Sequence, residues 1–89
     1  MHAVVVRVNI GDVEASRKDL REKVVPGASQ APGFIAGYWT RSDDGSNGLS
    51  MIVFDSEDAA RAAAEGIPSR VPETVTLESV EVREVVEHA

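Results

Sequence analysis

The chain has 89 residues, no cysteine, and 15 acidic against nine basic side chains, which give a formal charge of −6. A domain of this size buries only about 60% of the surface of its unfolded chain, and the missing cysteines exclude disulfides, thiolate catalysis and thiolate metal sites. The acid excess excludes a nucleic-acid backbone as the partner, because like charges repel. The composition therefore predicts a single domain over 1–89 that relies on a partner subunit for stability.

No segment is typical of a membrane or secreted protein. No apolar run approaches the roughly 20 residues of a membrane-spanning helix. Met1 and His2 lead directly into AVVVRVNI, with neither a basic segment nor a small-residue cleavage site. We therefore expect a cytoplasmic protein that does not contact a membrane.

The first two predicted elements are a strand and a long helix. Residues 3–10 are dense in β-branched side chains and predict a strand with two nearly apolar faces. Asp12 is a typical N-cap and predicts a helix over 12–30, in which Pro26 removes an amide donor and predicts a kink. The apolar stripe of this helix comprises Val13, Leu20 and Val24.

A β-hairpin follows the helix. Residues 34–41 and 49–54 predict two strands, and the segment SDDGSNG over 42–48 predicts a turn between them. Two strands joined by so short a turn pair antiparallel. The turn also argues against the rival fold, a parallel sheet of alternating strands and helices.

The last third of the chain predicts one more helix and one more strand. The segment DSED over 55–58 supplies a cap and first-turn acids for a helix over 56–65, and a long strand is predicted over 75–87. The order βαββαβ is the ferredoxin-like α+β arrangement, an antiparallel sheet with both helices on one face and strands one and three in the centre. The side chains of the second helix that are predicted to face the sheet are Ala60, Ala63, Ala64 and Ile67.

Strands with two apolar faces need a covering layer on each side. The two helices cover one face of the predicted sheet, and an exposed apolar patch on the other face is typical of an interface. A second subunit laid sheet against sheet buries this patch and gives a two-fold homodimer. Strict alternation places Tyr38 and Trp39 on opposite faces, and we expect Trp39, Ile35 and the last strand to contribute to the interface. A single bulge in the second strand would exchange the faces of Tyr38 and Trp39.

Three short motifs carry a resemblance to a known superfamily. They are the PGF of residues 32–34, the GYW of residues 37–39, and FDSEDAARA over 54–62. With these motifs, nearly the whole chain resembles the dimeric α+β barrel superfamily, on the side of the antibiotic-biosynthesis-monooxygenase-like domains. The resemblance implies a homodimer of ferredoxin-like subunits, each with a small pocket between its helices and its sheet.

The resemblance leaves several activities open. Relatives include cofactor-independent oxygenases of aromatic polyketides, haem-degrading enzymes and proteins with no known activity. The haem-degrading branch uses an Asn on strand one together with a Trp and a His on or just after helix two. Asn9 matches the first of these, but the second helix, SEDAARAAAEGI, contains neither Trp nor His, which argues against haem chemistry.

The oxygenase branch needs no bound cofactor, because an electron-rich substrate anion itself reacts with oxygen. The protein contributes a polar group, an aromatic wall and shelter from water. The resemblance therefore implies a small apolar or aromatic ligand, and the candidate ligand-binding residues are Asn9, Tyr38, Trp39 and Arg41.

Each candidate also has a purely structural interpretation. The two aromatic residues are ordinary packing residues at interfaces, and Arg7 and Arg41 are predicted to pair with acids such as Glu81, across strands or across subunits. His2 and His88 meet only if the first and last strands pair, and without a third ligand they predict no metal site.

Two functions remain at this point. One is a small-molecule-binding protein, or a cofactor-independent monooxygenase, acting on a small aromatic compound. The other is a non-catalytic homodimeric accessory or assembly module, which the absence of an acid, base and nucleophile constellation favours. A helix-side cavity of at least roughly 300 Å³ that Asn9 or Tyr38 faces would favour the first function.

Overall fold

The computed structural model describes all 89 residues, Met1 to Ala89. The strands are β1 (His2–Ile10), β2 (Phe34–Arg41), β3 (Asn47–Phe54) and β4 (Val75–Glu84), and the helices are α1 (Val13–Asp19), α2 (Val25–Ser29) and α3 (Glu57–Gly66). A π-helical turn, Leu20–Val24, joins α1 to α2, and a 3-10 turn, Ile67–Ser69, follows α3. None of the helices combines the length and the apolar character that crossing a membrane requires.

The four strands form one antiparallel sheet in the order β2-β3-β1-β4. The predicted ferredoxin-like α+β fold is therefore confirmed, with strands one and three in the centre. A hydrogen bond from the backbone N–H of Ile10 to the carbonyl of Ser46 (2.8 Å) and one from Gly11 to Thr74 (2.9 Å) join the three chain segments at one end of the sheet.

The first helical segment runs without interruption from Val13 to Ser29. Asp12 is its N-cap, as predicted, and its carboxylate accepts a hydrogen bond from the backbone N–H of Ala15 at 3.0 Å. The disturbance predicted at Pro26 takes the form of the π-helical turn that precedes it, where the N–H of Val25 donates to the carbonyl of Leu20. Because this turn shifts the hydrogen-bond register by one residue, the missing amide of Pro26 falls in the first turn of α2.

A β-bulge in β2 changes which side chains share a face. Phe34 pairs with Phe54 and Ala36 pairs with Val53, so Ile35 is an extra residue without an opposite partner. The strict alternation predicted for this strand is therefore wrong at its start. Phe34, before the bulge, therefore points to the face that packs against the helices. From Ala36 onward the even-numbered residues of β2 point to the other face.

The hydrophobic core lies between the sheet and the helices. Its five buried members are Val4, Val6, Ile52, Phe54 and Ala60. The predicted stripe of α3 is confirmed, since Ala60 is fully buried and its three other members pack against this cluster. Only seven hydrophobic residues of the isolated subunit are buried in all, which agrees with a chain that depends on a further covering layer.

The turn between β2 and β3 is closed by one carboxylate. Asp44 accepts hydrogen bonds from the backbone N–H of Ser46 (2.9 Å), from the Ser46 hydroxyl (2.7 Å) and from the Ser42 hydroxyl (2.8 Å). These donors, with the Ser46 N–H as the largest cause, lower the pKa of Asp44 from 3.8 to about 2.

We expect the turn to lose part of its stabilisation in acid. The pKa of Asp44 is lower in the folded state than in the unfolded chain, so its contribution is present above pH 3.8 and is lost as the pH falls through about 2. The carboxyl carbon of Asp44 should titrate in NMR spectra with a midpoint near 2. Asp44→Asn should flatten the pH dependence of the unfolding free energy over this range, and a midpoint near 3.8 in the wild type would contradict the prediction.

Candidate functional site

The sheet has two faces with different surroundings. One face is covered by the helices, and we call the other the open face. The open face consists of the odd-numbered residues of β1 and their neighbours in register on the other strands, which places Val5, Met51 and Tyr38 in one row. The residues that alternate with these point toward the helices and include the core.

The bulge at Ile35 places Trp39 on the helix-covered face, where it packs against the core cluster. The prediction that Trp39 lies at the uncovered face is therefore wrong, and Tyr38 occupies that face instead, with 67% of its surface exposed. Ile35 itself is 48% exposed at the bulge. A single inserted residue thus reverses the roles of the two neighbouring aromatic side chains.

The four candidate ligand-binding residues divide into two pairs. Trp39 and Arg41 lie on the helix-covered face, opposite Ser50 and Gly48 of β3. Asn9 and Tyr38 lie on the open face. Within one subunit the sheet separates the pairs, so the structure does not bring all four residues into one site.

The indole of Trp39 lies back along β2, over Gly37. A Cβ atom at Gly37 would stand 2.6 Å from Cη2 of the indole, closer than two carbon atoms approach. Ser50, opposite Trp39, is small as well. The half of the sheet beside β2 therefore presents a flat aromatic surface over small residues, next to α2, which packs against the same strand.

The first helix adds apolar side chains to this region without completing a core. Val13, Leu20 and Val24, the predicted stripe, are half-buried, but they are not members of the hydrophobic cluster that α3 forms with the sheet. The two helices therefore differ in their role. The helix α3 closes a packed core, while the first helix lies above the less densely packed half of the sheet.

Two broad surface depressions lie outside the space between the helices and the sheet. One follows the charged outer side of α1. The other, of about 440 Å³, lies on the open face and is lined by Val5, Arg7, Tyr38, Thr40, Leu49, Ser50, Met51 and Arg83. Asn9 and Tyr38 therefore face the open side of the sheet, so neither depression is the helix-side cavity that would favour the small-molecule function.

The charged groups of the open face lie beside its apolar centre. Two nitrogen atoms of Arg83 contact Oε2 of Glu81 on β4, Nη2 at 2.7 Å and Nε at 3.0 Å. Arg7 makes no ion pair within the subunit, so a pair between Arg7 and Glu81 across the strands is not formed. The sequence analysis missed the Glu81–Arg83 pair, although residues two apart on a strand share a face.

Little in the structure resembles acid–base machinery. Glu57 has a lowered pKa because Arg61 donates a hydrogen bond to its carboxylate (2.8 Å from Nε), but it lies exposed at the start of α3. The Nε2 atom of His2 stands 3.9 Å from the same carboxylate, and the Nδ1 atom is buried without a partner. No group of three or more His, Cys, Asp or Glu side chains is arranged to hold a metal ion.

No protein-family model matches the chain, and no curated protein matches it in sequence. The solved structures that share its fold over almost the whole length include the following three. SnoaB, a cofactor-independent oxygenase from Streptomyces nogalater, is 17% identical, with 98% of this chain and 94% of that chain covered and a TM-score of 0.75. A dimeric ferredoxin-like protein from an uncultured marine organism is 14% identical, with 100% and 98% covered and a TM-score of 0.66. The haem degrader MhuD from Mycobacterium tuberculosis, with two haems in its active site, is 22% identical, with 97% and 98% covered and a TM-score of 0.58.

At these identities the likeness establishes the fold. The likeness agrees with the ferredoxin-like α+β fold that the resemblance to the dimeric α+β barrel superfamily implies. The neighbours differ in what they do, one being an oxygenase without a cofactor and another a haem degrader, so the fold alone does not choose a chemistry.

Proposed function

We propose that the protein is a homodimeric small-molecule-binding protein of the antibiotic-biosynthesis-monooxygenase-like class, with a small aromatic ligand held under the first helix beside Trp39. The observation that carries the proposal is the placement of this indole on the helix-covered face, over Gly37 and opposite Ser50. A flat aromatic side chain among small neighbours is suited to stack against a planar ligand. SnoaB, which shares this fold over almost its whole length, is a cofactor-independent oxygenase, and this supports the assignment to that class.

Trp39 and Arg41 are the binding residues in this proposal. They share the helix-covered face, and the guanidinium of Arg41 at the strand end is suited to an anionic oxygen on the ligand. Asn9 and Tyr38 lie behind the sheet, so they reach a ligand only if it lies at the open face.

The enzymatic form of the proposal is a cofactor-independent monooxygenase. In such a reaction the electron-rich substrate anion supplies the electrons that reduce oxygen, so the protein needs no metal, flavin or haem. Its tasks are to bind the substrate, to stabilise the anion and to exclude water. Trp39 and the half-buried stripe of the first helix provide apolar walls for these tasks.

We do not expect haem to be the ligand. The helix α3, EDAARAAAEG, carries neither Trp nor His, and Asn9 points to the open face rather than toward the helices. A titration of the protein with haem should therefore give no saturable change in the haem absorption band. A stoichiometric change in the haem absorption band would instead support haem as the ligand.

Trp39 is the only tryptophan of the chain, so its fluorescence reports binding directly. We expect hydroxylated naphthalenes or anthracenes to quench it with saturation at one ligand per subunit. Calorimetry should show that Trp39→Phe weakens binding about tenfold, which corresponds to about 1.4 kcal/mol. Tyr38→Phe, on the open face, is the matched aromatic control and should leave the affinity unchanged.

A measurement of oxygen uptake distinguishes a monooxygenase from a ligand-binding protein without catalysis. Consumption of oxygen with a bound compound, in the absence of added metal or flavin, supports the monooxygenase. Binding without oxygen uptake supports a ligand-binding protein without catalysis. Absence of binding across the series of compounds would contradict the proposed site.

A non-catalytic accessory or assembly module is the second candidate, and one observation favours it. The two carboxyl groups with lowered pKa values, Asp44 and Glu57, are held by hydrogen bonds on the surface, so neither is an acid or base beside Trp39. In this case the protein would form the dimer and bind none of the aromatic compounds.

Both candidates require the homodimer, formed through the open face. Its support is the apolar row of Val5, Met51 and Tyr38 on that face, the small core of the isolated subunit and the dimeric ferredoxin-like neighbour. Light scattering should give twice the subunit mass of 9.5 kDa at micromolar concentration. A cytoplasmic location is part of the same proposal, because the chain has no cysteine to oxidise.

A further inference from the structure

The open face has an apolar centre, and beside it lies an arginine without a partner. Arg7 lies on β1, a central strand, between Leu49 of β3 and Ser79 of β4. No carboxylate of its own subunit lies within ion-pair distance of its guanidinium. A layer that covers the sheet therefore also covers Arg7, and burial of an arginine without an anionic partner is strongly unfavourable.

One carboxylate of the same face is only partly used. Glu81 is the acidic side chain that the strand register places on the open face, while Glu78, the extra residue where the β1–β4 register shifts beside Arg7, is exposed and forms no ion pair with it. The Nη2 and Nε atoms of Arg83 both contact the Oε2 atom of Glu81. Its Oε1 atom accepts no hydrogen bond, so it remains free to accept a second guanidinium.

The open face therefore holds one unpaired cation and one carboxylate with a free oxygen. A two-fold interface brings the same surface together twice, so that each copy offers its carboxylate to the arginine of the other. We propose that a second copy of this chain covers the open face and that Arg7 of each subunit pairs with Glu81 of its partner. This inference rests on the proposed homodimer and adds the contact that sets its register.

The pairing gives each charged group beside the apolar centre of the open face a partner. In a chain of formal charge −6, the open face carries two arginines and one glutamate. The carboxylate then binds Arg83 of its own strand through Oε2 and the partner subunit's Arg7 through Oε1. Sheet packings shifted from this register leave both Arg7 side chains buried and unpaired, which disfavours them.

A charge-reversal experiment tests the pairing. Arg7→Glu places two carboxylates together at each contact, and Glu81→Arg places guanidinium groups together, so each variant alone should dimerise at least about tenfold more weakly than the wild type. A mixture of the two variants should form the heterodimer in preference to either homodimer, because the heterodimer restores an opposite-charge pair at both contacts. Native mass spectrometry of isotopically labelled partners measures the three species.

Two controls separate the contact from other effects. Glu65→Arg changes the charge equally on exposed α3, away from the open face, and should leave the dimer affinity unchanged. The double variant with both Arg7→Glu and Glu81→Arg should recover dimerisation. Recovery by the double variant but not by the mixture would place the pair within one subunit and overturn the inference.

Charge-neutral variants keep the test decisive if a reversed charge prevents folding. Arg7→Gln and Glu81→Gln should each weaken the dimer, and the two together should weaken it no further, because the second substitution removes a contact already lost. Fully additive losses would overturn the pairing while the homodimer stands. A wild-type mass of one subunit would instead overturn the homodimer itself.

Discussion

Replacing Phe54 by Ala is expected to lower the free energy of unfolding by about 3 to 5 kcal/mol, as for other buried aromatic residues. Phe54 ends β3 and is 1% exposed. Its ring meets that of Phe34 edge to face, with centroids 6.3 Å apart and planes at 83°, and it belongs to the cluster that includes Val4 and Ala60. The substitution removes this contact and leaves a cavity where the sheet meets α3.

The loss is large relative to the stability of so small a domain. At roughly 0.05 to 0.15 kcal/mol per residue, the whole subunit has only about 4 to 13 kcal/mol. Chemical denaturation followed by the fluorescence of Trp39 measures the change, at a fixed protein concentration because the proposed dimer contributes to stability. Val86→Ala, at a side chain that is 85% exposed, is the control and should change the value by less than about 0.5 kcal/mol. A loss of less than about 1 kcal/mol at Phe54 would contradict the core described here.

The sequence predicts the sheet and the second helix well because their signals are local. The β-branched run of β1 and the polar turn between β2 and β3 define strands and a hairpin, and the observed strand β2, Phe34–Arg41, has the predicted bounds. The cap of α3 and its alanine stripe are equally local. Ser56 accepts a hydrogen bond from the N–H of Ala59 at 3.1 Å, as an N-cap does.

The faces of β2 were not predictable in the same way. A bulge inserts one residue into the pairing of two strands, and the partner strand determines its position as much as the local sequence does. Ile35 has no property that marks it as the inserted residue. Its effect is nevertheless decisive for the site, because it places Trp39 beneath the helices and Tyr38 on the open face.

The chemistry was the least predictable part. The motifs that suggest the superfamily, such as PGF over 32–34, lie where the chain makes its turns and packs its layers, so they report the fold. Binding depends on which side chains share a face, and that followed only from the register of the strands. The pairing of Arg83 with Glu81, which leaves the Oε1 atom of Glu81 free, also required the coordinates.

Gly33→Ala is expected to be the second large loss, about 2 to 5 kcal/mol of unfolding free energy. Gly33 precedes β2 with a φ of +81°, where a residue with a Cβ atom costs about 1 to 2 kcal/mol. That Cβ would stand 2.5 Å from Oδ1 of Asp55 and 2.8 Å from Cβ of Ala59, which adds about 1 to 3 kcal/mol of overpacking. The backbone is also held in place, because the N–H of Asp55 donates a hydrogen bond to the carbonyl of Gly33 at 2.9 Å.

Gly27→Ala is the matched control, since it adds the same methyl group in a place that accepts it. Gly27 lies within the helix α2, and no atom lies within 4 Å of the position its Cβ would take. Alanine restricts the unfolded chain and favours the helix, so this variant should gain about 0.5 to 1 kcal/mol. The two substitutions should therefore change the denaturation midpoint in opposite directions. Equal and small effects at both positions would show that the backbone before β2 is not held in the left-handed conformation by its contacts with Asp55 and Ala59.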